Sequence, residues 1–526
     1  MEFETLLALI GTQLIKIWPE LSVAIFCLLS LRWYHTHKNE VLMHWPILDV
    51  YPSILANVHR IHHWIVDIAN KISCTIVARG PVFGRLDVVL TSDPRNVDYI
   101  LKTNFSNFPK GPQLKEAFDL LGDGIFNVDD DKWRLQKRLA HVALVSKEFR
   151  NFTGAVTRKL VQDALLPIML HAAKHGTILD LEDLFMRFAF DSVFTAIFGR
   201  SPNSLSLSSP SNELAEAIDD GTEGIFYRHV MPRGLWKLLG WLKVGSERKM
   251  IEARKTIDHH LLQHISFKKE EMREGIQSSD LIAMYLTTQA QRGETSIHSE
   301  EFLRDTSLSF LFAGRDSTGT SLAWFLWLVS TTPHVEAKIL EELKQVKKRK
   351  EDPEGLGARG TAEPAEWPWV FDSEDLKELV YLHAAMCESL RLNPPLPLTR
   401  RGVVKEDVLP DGTTVRPGQK ILISMYAMGR LEWLWGKDYQ EFKPERWVDD
   451  KGRISQDAMS KFYPFTVGPR ACPGRNMAFT QMKSAAAAVL FNFCIEVVEG
   501  QIVNPMSSIV LHMKNGVRVR IKQRVW

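Results

Sequence analysis

The sequence predicts a mainly α-helical protein with a minor β region, preceded by an N-terminal membrane anchor. From about residue 142 to 290, apolar residues mostly recur at helical spacing, and residues 301–330 indicate one long helix. Segments of β-branched residues are short and lie outside these helical stretches. The first 34 residues are largely apolar, which is typical of a segment that meets a membrane.

Four short segments account for the predicted β region. Residues 75–77 and 85–90 carry β-branched, partly alternating side chains around Gly80-Pro81 and indicate a hairpin. Residues 420–424 and the weakly alternating segment 509–521 indicate a second small sheet.

Composition limits the function classes. A chain of 526 residues is ample for a large core, and a net charge of +2 provides no strong field for nucleic acid, so we expect no nucleic-acid partner. The five cysteines are scattered, odd in number and free of any C-x-x-C pair. They argue against a disulfide scaffold or a zinc ribbon and favour a reducing compartment.

The N-terminal segment, residues 1–34, is apolar but broken. Residues 6–15 and 21–31 are separated by a polar break that contains Pro19, and neither piece reaches the ~20 residues that span a bilayer. Together they form either one kinked span, or a surface helix followed by a short span. No small-residue cleavage site follows, which argues against a secretory signal peptide. Positive residues at 32–38 place the remainder on the cytoplasmic side, so we expect an uncleaved anchor.

A cysteine near the C-terminus lies just before a predicted helix that covers about Arg475 to Phe493. Pro473 suits the first position of that helix, which places Cys472 at its N-cap. The helix dipole favours an anion there, so a thiolate is expected, which is both a nucleophile and a soft metal ligand. Two other interpretations stay open: a small buried cysteine in a turn, and a low-pKa nucleophile, although no local Cys-His signature accompanies it.

The centre of the predicted long helix is unusual for a helix. Residues 313–319 combine two glycines, two hydroxyl residues and the carboxylate of Asp316 between apolar turns. Each glycine costs about 1 kcal/mol relative to alanine. The composition indicates a local kink with freed carbonyl groups. The alternative is that the small residues allow a second helix to cross this one at a short distance.

The segment Phe465–Gly474 fits the pattern F-x-x-G-x-R-x-C-x-G at every fixed position. It resembles the haem-ligand loop of the cytochrome P450 superfamily. The resemblance implies that Cys472 is the axial thiolate ligand of a haem iron, which favours cleavage of the O–O bond. It also implies that Arg470 pairs with a haem propionate.

Other motifs of the superfamily follow in the expected order. The helix that begins near residue 131 is similar to W-x-x-x-R, with Trp133 matching and Lys137 in place of the arginine. Residues 313–318 resemble the oxygen-binding helix A-G-x-[DE]-T-[TS], with Ser317 in place of the threonine. An E-x-x-R pair alone has little weight, but Glu388 and Arg391 precede a P-E-R-W segment that contains Arg446.

These similarities imply roles for individual residues. Trp133, Lys137, Arg470 and either Arg400 or Arg401 are expected to hold the haem propionates, with Arg400 our first choice. Asp316 and Ser317, with water, are expected to relay protons to dioxygen. Glu388, Arg391 and Arg446 are expected to form a buried structural lock.

The resemblance implies the fold of a single haem-thiolate catalytic domain over residues 35–526, behind the anchor. It also implies a monooxygenase that uses O2 and electrons from NADPH, delivered by a membrane flavoprotein, NADPH-cytochrome P450 reductase. The expected location is the endoplasmic reticulum membrane, with the catalytic domain facing the cytoplasm.

Within the superfamily, residues 105–111, 313–316 and 425–430 are similar to a plant subgroup of fatty-acid ω-hydroxylases and midchain alkane hydroxylases. Some members of that subgroup couple phenols in alkaloid synthesis, and the sequence does not choose between these substrates. The expected pocket is apolar and suits an alkyl chain or an aromatic molecule. Its predicted walls are Phe118, Phe126, Phe312, Ala313, Leu396, Leu398 and Met506.

Two rival functions share the cysteine loop. A haem-thiolate gas or redox sensor needs Cys472 and the structural lock but no proton relay. A peroxide-isomerising relative needs no reductase and tends to lose the acid and alcohol. Because the chain carries Asp316 followed by Ser317, an oxygen-activating enzyme is favoured.

Overall fold

The computed structural model describes residues 2–45, 48–78, 88–208, 211–290, 299–351 and 368–526. Over these ranges the chain is mainly helical with small β-sheets, as the sequence predicts. The α-helices are α1 Glu2–His37, α2 Tyr51–Asn57, α3 Ile61–Lys71, α4 Pro94–Asp98, α5 Pro112–Ala117, α6 Asp130–Val145, α7 Lys147–Leu160, α8 Leu166–His175, α9 Leu181–Phe198, α10 Glu213–Val230, α11 Arg233–Leu242, α12 Gly245–Arg273, α13 Leu281–Ala290, α14 Glu300–Ser330, α15 Pro333–Glu351, α16 Asp375–Glu378, α17 Val380–Leu392, α18 Met425–Met428, α19 Glu432–Trp435, α20 Gln456–Ser460 and α21 Arg475–Asn492.

The strands are short. They are β1 Thr75–Ala78, β2 Val88–Thr91, β3 Leu179–Asp180, β4 Leu398–Gly402, β5 Asp407–Val408, β6 Thr414–Val415, β7 Lys420–Ser424, β8 Phe493–Val497 and β9 Arg518–Gln523. The described residues also form shorter helical segments. These are π-helical at Tyr99–Thr103 and Val161–Leu165, and 3-10 helical at Val58–Arg60, Phe105–Asn107, Asp119–Leu121, Pro444–Trp447 and Gly468–Arg470.

The largest sheet has the strand order β1-β2-β7-β4. β1 and β2 pair antiparallel, which confirms the predicted hairpin, although its connection, residues 79–87, lies outside the described residues. β7 lies parallel to β2 and antiparallel to β4. The segment 420–424 therefore extends the hairpin sheet, and the prediction that it forms a second sheet with the C-terminus is wrong. The C-terminal strand β9 pairs instead with β3 and β8.

Helix α14 runs through the centre of the protein and crosses α9 closely. A Cβ atom added at Gly314 would lie 2.6 Å from Cγ2 of Val193, and one at Gly319 would lie 2.8 Å from Sδ of Met186. Real Cβ atoms do not approach other atoms so closely, so both positions require glycine while the helices keep this distance. The close crossing of helices, which the sequence left as an alternative, is confirmed.

Helix α14 is continuous from Glu300 to Ser330, and the kink near its centre stays a prediction. Its hydroxyl groups bond back to helix carbonyls instead of interrupting the helix. Ser317 Oγ donates to the Ala313 carbonyl oxygen at 2.6 Å, and Thr320 Oγ1 donates to that of Asp316 at 2.7 Å. Such bonds to the preceding turn allow small polar residues inside a buried helix.

Helix α21 follows the cysteine loop and packs into the main core. Its N-cap is Gly474, two residues later than predicted, and it ends at Asn492. The alanine run at 485–488 is fully buried, because small side chains let neighbouring helices approach. Cys472 therefore precedes the helix and is not its N-cap.

Helix α1 is one continuous helix of 36 residues. Among the helices of the described ranges, none contains a stretch that is long and apolar enough to cross a membrane.

Candidate active site

A cavity of about 590 Å³ lies between the centre of α14, the loop before α21, and the strands β4 and β7. Phe312, Ala313 and Ser317 line it from α14, and Cys472 lines it from the loop. Most of the wall is apolar. Among the described residues that line it, six are lysines or arginines and none is an aspartate or glutamate. The cavity is thus an apolar space with an unbalanced positive charge.

Cys472 is an exposed free cysteine, and the surface it exposes belongs to this cavity. Its backbone N–H donates to the Phe465 carbonyl oxygen at 2.9 Å, which closes the loop. Gly468 has φ +72°, and a Cβ there would collide with the Leu101 carbonyl, so the loop requires glycine. Burial raises the pKa of the Cys472 thiol, although backbone N–H groups and the charge of Arg475 lower it. The protein groups together raise the pKa of the thiol, and the expected thiolate stays a prediction.

Three cations surround one carboxylate beside the cysteine loop. The Arg470 guanidinium donates through Nη2 to Asp129 Oδ1 at 2.6 Å and to the Val128 carbonyl at 2.7 Å. Arg401 is 2 % exposed, and burial and Arg470 lower its pKa to about 9. Burial, Arg401 and Arg470 hold the pKa of Lys110 well below its usual range. The Nε atoms of Arg401 and Arg470 are buried, and the described part of the chain offers neither of them a hydrogen-bond acceptor.

The predicted tryptophan helix, α6, contributes to the same wall. Trp133 lies under the Arg470 guanidinium, 4.5 Å from its carbon to the ring centroid. Lys137 Nζ lies 5.4 Å from the Trp133 ring centroid, and both residues line the cavity. Burial and Arg470 lower the pKa of Lys137. The lysine that replaces the expected arginine therefore remains within the cationic wall.

Arg400 also lines the cavity, but it lies away from the Arg470–Asp129 pair. Its Nη2 donates to Gln113 Oε1 at 3.1 Å, and burial lowers its pKa to about 10. Successive residues of a strand point to opposite faces, so Arg400 and Arg401 leave β4 in different directions. Arg401, which interacts electrostatically with Arg470, is the better placed of the two beside the cysteine loop.

The acid and alcohol of α14 have different surroundings. Asp316 is fully buried and accepts a hydrogen bond at Oδ1 from Arg315 Nη1 at 3.0 Å. Its Oδ2 has no partner among the described residues. Arg315 also binds Asp219 of α10 through two hydrogen bonds, of 2.6 and 2.9 Å. Burial raises the pKa of Asp316, although Arg315 and His512 lower it. Ser317 lines the cavity, so the pair connects the buried Arg315–Asp219 contact with the cavity.

A second ionisable pair lies near Asp316. His512 Nδ1 is 3.1 Å from Glu182 Oε1, and Glu182 also accepts from the Met513 backbone N–H at 3.0 Å. Burial lowers the pKa of His512, but Glu182 and Asp316 outweigh it and raise the pKa above the ordinary value. The raised pKa favours the protonated imidazole, which would place positive charge on the side of α14 that carries the acid.

Comparison with known proteins decides the family. The family model described as Cytochrome P450 matches residues 80–518. The chain is 38% identical over 510 residues to "Cytochrome P450 86B1" of Arabidopsis thaliana. This alignment covers 96% of this chain and 90% of that protein. It is 36% identical over 492 residues to "Alkane hydroxylase MAH1" of the same plant, covering 93% and 94%. It is 34% identical over 515 residues to "Noroxomaritidine synthase" of Narcissus aff. pseudonarcissus MK-2014, covering 96% and 97%.

The chain belongs to the cytochrome P450 family. It is a haem-dependent monooxygenase that receives electrons from a reductase and oxidises a hydrophobic substrate.

The cavity of this cytochrome P450 fits a haem. The two carboxylates of a haem would meet the Arg401 and Arg470 guanidinium groups, whose buried Nε atoms lack acceptors. The cysteine sulfur lies on the same cavity, and a metal ion deprotonates a thiol that binds it. A haem iron bound by Cys472 would therefore favour the ionised thiolate, which burial disfavours.

The predicted lock is assembled in the structure. Arg391 donates through Nε and Nη2 to the two oxygens of Glu388, both at 2.8 Å, and Arg446 Nε lies 3.2 Å from Oε1. Glu388 is 0 % exposed. Trp447 Nε1 and the Lys443 backbone N–H also donate to this carboxylate, at 2.8 and 3.1 Å. A carboxylate with five donors fixes α17 to the segment that leads into the cysteine loop.

Six of the seven predicted pocket residues line the cavity: Phe118, Phe126, Phe312, Ala313, Leu396 and Leu398. Met506 does not belong to this lining, and it is 39 % exposed. The neighbouring residues Ser508, Ile509 and Val510 reach the cavity instead. The prediction for Met506 thus misses the wall by a few residues of an irregular loop.

Sequence reasoning missed several polar groups of the site: Lys110, Asp129, Gln113, Asp219, His229, Lys420, Glu182 and His512. They come from separate parts of the chain, and only folding brings them to one cavity or to Asp316. The single available signal was Lys110, which lies within the motif 105–111 that the sequence singled out.

Proposed function

We propose that this cytochrome P450 hydroxylates a fatty acid, an alkane or a related lipid. The main observation in support of this function is the aliphatic and aromatic lining of the cavity beside Cys472. Removal of apolar surface from water, at about 25 cal/mol per Å², supplies the binding energy for such a substrate. The similarity to a protein named as an alkane hydroxylase supports the proposal.

The haem, once bound, supplies the activation of dioxygen and the oxidation of the substrate. Cys472 binds its iron, and Arg401, Arg470, Lys110, Trp133 and Lys137 hold its carboxylates. Arg401 takes this role in preference to Arg400, because Arg401 has a buried Nε without an acceptor. Phe312 and Ala313 hold the substrate chain from α14 and keep water away from it.

Asp316 and Ser317 act in proton delivery. Ser317 Oγ presents a proton to dioxygen in the cavity, and Asp316 replaces it through Oδ2, with water between them. Arg315 holds Oδ1 of the carboxylate. The raised pKa of Asp316 lets the carboxyl hold and release a proton closer to neutral pH than an exposed aspartate can.

The electrons come from NADPH through NADPH-cytochrome P450 reductase, and α1 attaches the catalytic domain, residues 35–526, to the endoplasmic reticulum membrane. Among the residues of α1 whose side chains the structure describes, the apolar ones are largely exposed, including Phe26 at 60 % and Leu28 at 67 %. A membrane surface would cover such side chains favourably. Attachment there keeps the catalytic domain on the cytoplasmic side with a membrane-bound reductase.

A second candidate function is oxidative phenol coupling in specialised metabolism. It is favoured by the similarity to noroxomaritidine synthases, at 34% identity over nearly the whole chain. Phe118, Phe126 and Phe312 all line the cavity and suit an aromatic substrate.

The experiment is turnover of a panel of fatty acids, alkanes and phenolic alkaloids by the haem-loaded protein with NADPH and reductase. Products are identified by mass spectrometry. Oxygenated lipids that depend on NADPH and on reductase support the main proposal, and coupled phenols without added oxygen support the second. Cys472→Ala is the control, because it should lose the red-shifted absorption of the reduced CO complex together with turnover. A variant that keeps both would contradict the role of Cys472.

A further inference from the structure

The strand β4 carries two consecutive arginines whose side chains lie in different environments. Arg401 is buried beside Arg470, whereas Arg400 bonds to Gln113 of α5. The alternation of side chains along a strand explains this separation. The haem carboxylates account for Arg401 and Arg470 and leave Arg400 without a function.

A second cation lies on the same face of the sheet as Arg400. In the antiparallel pair β4–β7, Arg400 is opposite Leu422 and Gly402 is opposite Lys420. Arg400 and Lys420 are therefore diagonal neighbours on one face, and long side chains at such positions reach each other. Both line the cavity.

The two cations lack an acidic partner within the described part of the chain. Neither takes part in a salt bridge there, and Gln113 supplies Arg400 with only a neutral acceptor. Burial, Arg400 and Arg233 lower the pKa of Lys420 to about 8. Burial and the charges of Arg400 and Lys420 help to lower the pKa of the adjacent His229 to about 4, so this histidine is neutral. The protein thus holds two positive charges close together without neutralising them.

A charge count over the cavity leads to the same conclusion. The described lining has six cations and no carboxylate. Asp129, just behind the lining, pairs with Arg470, and the two haem carboxylates neutralise two further charges. Two or three positive charges remain, depending on whether Lys110 is charged, and partly buried charges without partners are costly. An anion in the cavity would remove that cost.

Apolar side chains lead from this pair into the cavity. Leu398 and Leu422 lie on the same face of the sheet, because they are two residues along their strands from Arg400 and Lys420. Phe118 stands beside His229, with ring centroids 5.2 Å apart. The arrangement offers a charged end and an apolar continuation.

We propose that Arg400 and Lys420 bind the carboxylate of a long-chain fatty acid while its hydrocarbon chain lies along the apolar wall of the cavity. The inference rests on the proposed lipid hydroxylase function and names the ionic end of its substrate. A neutral alkane leaves both cations unpaired, and a protonated amine is repelled by them. The site therefore selects the carboxylic acid over an alkane, an ester or an amine of the same length.

Binding is measured on the full-length, haem-loaded protein by equilibrium dialysis with palmitate, methyl palmitate, hexadecane and hexadecylamine. Palmitate should bind about tenfold or more tightly than methyl palmitate, because a carboxylate between two cations makes charge-assisted hydrogen bonds. The double variant R400Q/K420Q should lose this preference and bind methyl palmitate as before. K420E should bind hexadecylamine better and palmitate worse. The control R520Q removes an exposed strand arginine outside the cavity and should leave the preference unchanged.

Equal binding of palmitate and methyl palmitate by the unaltered protein would overturn the inference. A preference for palmitate that survives in the double variant would also overturn it. If R400Q loses haem but keeps the preference for palmitate, the inference is overturned as well, because Arg400 is then assigned to the haem. Dialysis needs no turnover, so a negative result is distinct from failure of the proposed function. That failure would appear instead as absent haem absorption or absent lipid oxidation.

Discussion

At the scale of single residues, Lys420 gives the proposed carboxylate site a pH dependence. Its pKa of about 8 lies well below that of an ordinary lysine, because burial and Arg400 disfavour the ammonium. Fatty acids are ionised above about pH 5. Palmitate should therefore bind most tightly between these limits and more weakly as the pH rises through 8 and beyond. A bound carboxylate raises the pKa of Lys420, so the loss begins at higher pH when palmitate saturates the site.

The measurement is the dissociation constant of palmitate by dialysis from pH 6 to 10. K420R keeps its charge to higher pH and should shift the decline upward. Methyl palmitate, the neutral control, should show a flat profile. A flat profile for palmitate would contradict the role of Lys420.

Ser317 offers a second test at this scale. Its hydroxyl donates a hydrogen bond to the Ala313 carbonyl at 2.6 Å, and the residue lines the cavity. Rotation of the side chain about χ1 would turn this hydroxyl from the carbonyl to a molecule in the cavity. Ser317→Ala should still bind haem and substrate, but the product formed per NADPH should fall by about tenfold, with hydrogen peroxide rising in parallel. Ser317→Thr should keep the ratio.

The control is Ser330→Ala, which removes a hydroxyl from the same helix that also bonds to a helix carbonyl, at 2.9 Å. Peroxide and product are counted together against NADPH. An unchanged ratio in Ser317→Ala would assign proton delivery to water or to Thr318.

What the sequence predicted at residue scale depended on local motifs. Cys472, Arg470, Trp133 and Ser317 all line one cavity, as their motifs predicted. Lys420 and His512 have no neighbours along the chain that mark them, since their partners come from other elements. Arg400 and Arg401 could not be separated from sequence, because only the strand register shows which face each one takes.

At the scale of secondary structure, the contact between α17 and the P-E-R-W segment can be tested by breaking one ion pair. Arg391→Ala leaves Glu388 buried with a reduced set of donors, which costs about 3–5 kcal/mol. We expect a large drop in haem-loaded protein and in the midpoint of thermal unfolding.

Lys377→Ala is the matched control, because Glu374 and Lys377 have the same i, i+3 spacing but are exposed, with side chains 79 % and 70 % accessible. Exposed pairs contribute less than about 1 kcal/mol. Haem content by absorbance and unfolding by circular dichroism distinguish the two variants. Equal behaviour would show that the Glu388 contacts do not stabilise this part of the fold.

The errors in the predicted elements have physical causes. In α14 the glycines and hydroxyls have roles that composition alone does not show: the glycines serve the crossing with α9, and the hydroxyls bond to the helix itself. The segment 420–424 was assigned to the wrong sheet because periodicity identifies a strand and not its partners. The N-cap of α21 was placed two residues early because Pro473 also suits the turn before the helix.

At the scale of the whole molecule, two exposed apolar surfaces need an explanation. In α1, Val23 and Leu29 are exposed by 63 % and 61 %. In α11, Leu238 is exposed by 50 % and Trp241 by 78 %. The sequence predicted the first from the apolar residues of the N-terminal segment. Large exposed apolar patches mark interaction sites, and a lipid surface would cover both.

Deletion of residues 1–38 tests the proposed attachment. The deletion removes the exposed apolar residues of α1, so much of the protein should move from the membrane fraction to the soluble fraction after ordinary lysis. Some should remain attached through α11, and adding Trp241→Ser should release more of it, because an interfacial tryptophan contributes strongly to membrane binding.

The control is Ile502→Ser, which removes an exposed apolar side chain, 74 % accessible, outside both helices. Haem absorption is recorded in each fraction to follow folded protein. Full-length protein found in the soluble fraction would contradict the attachment, and an unchanged distribution after the deletion would remove α1 from it.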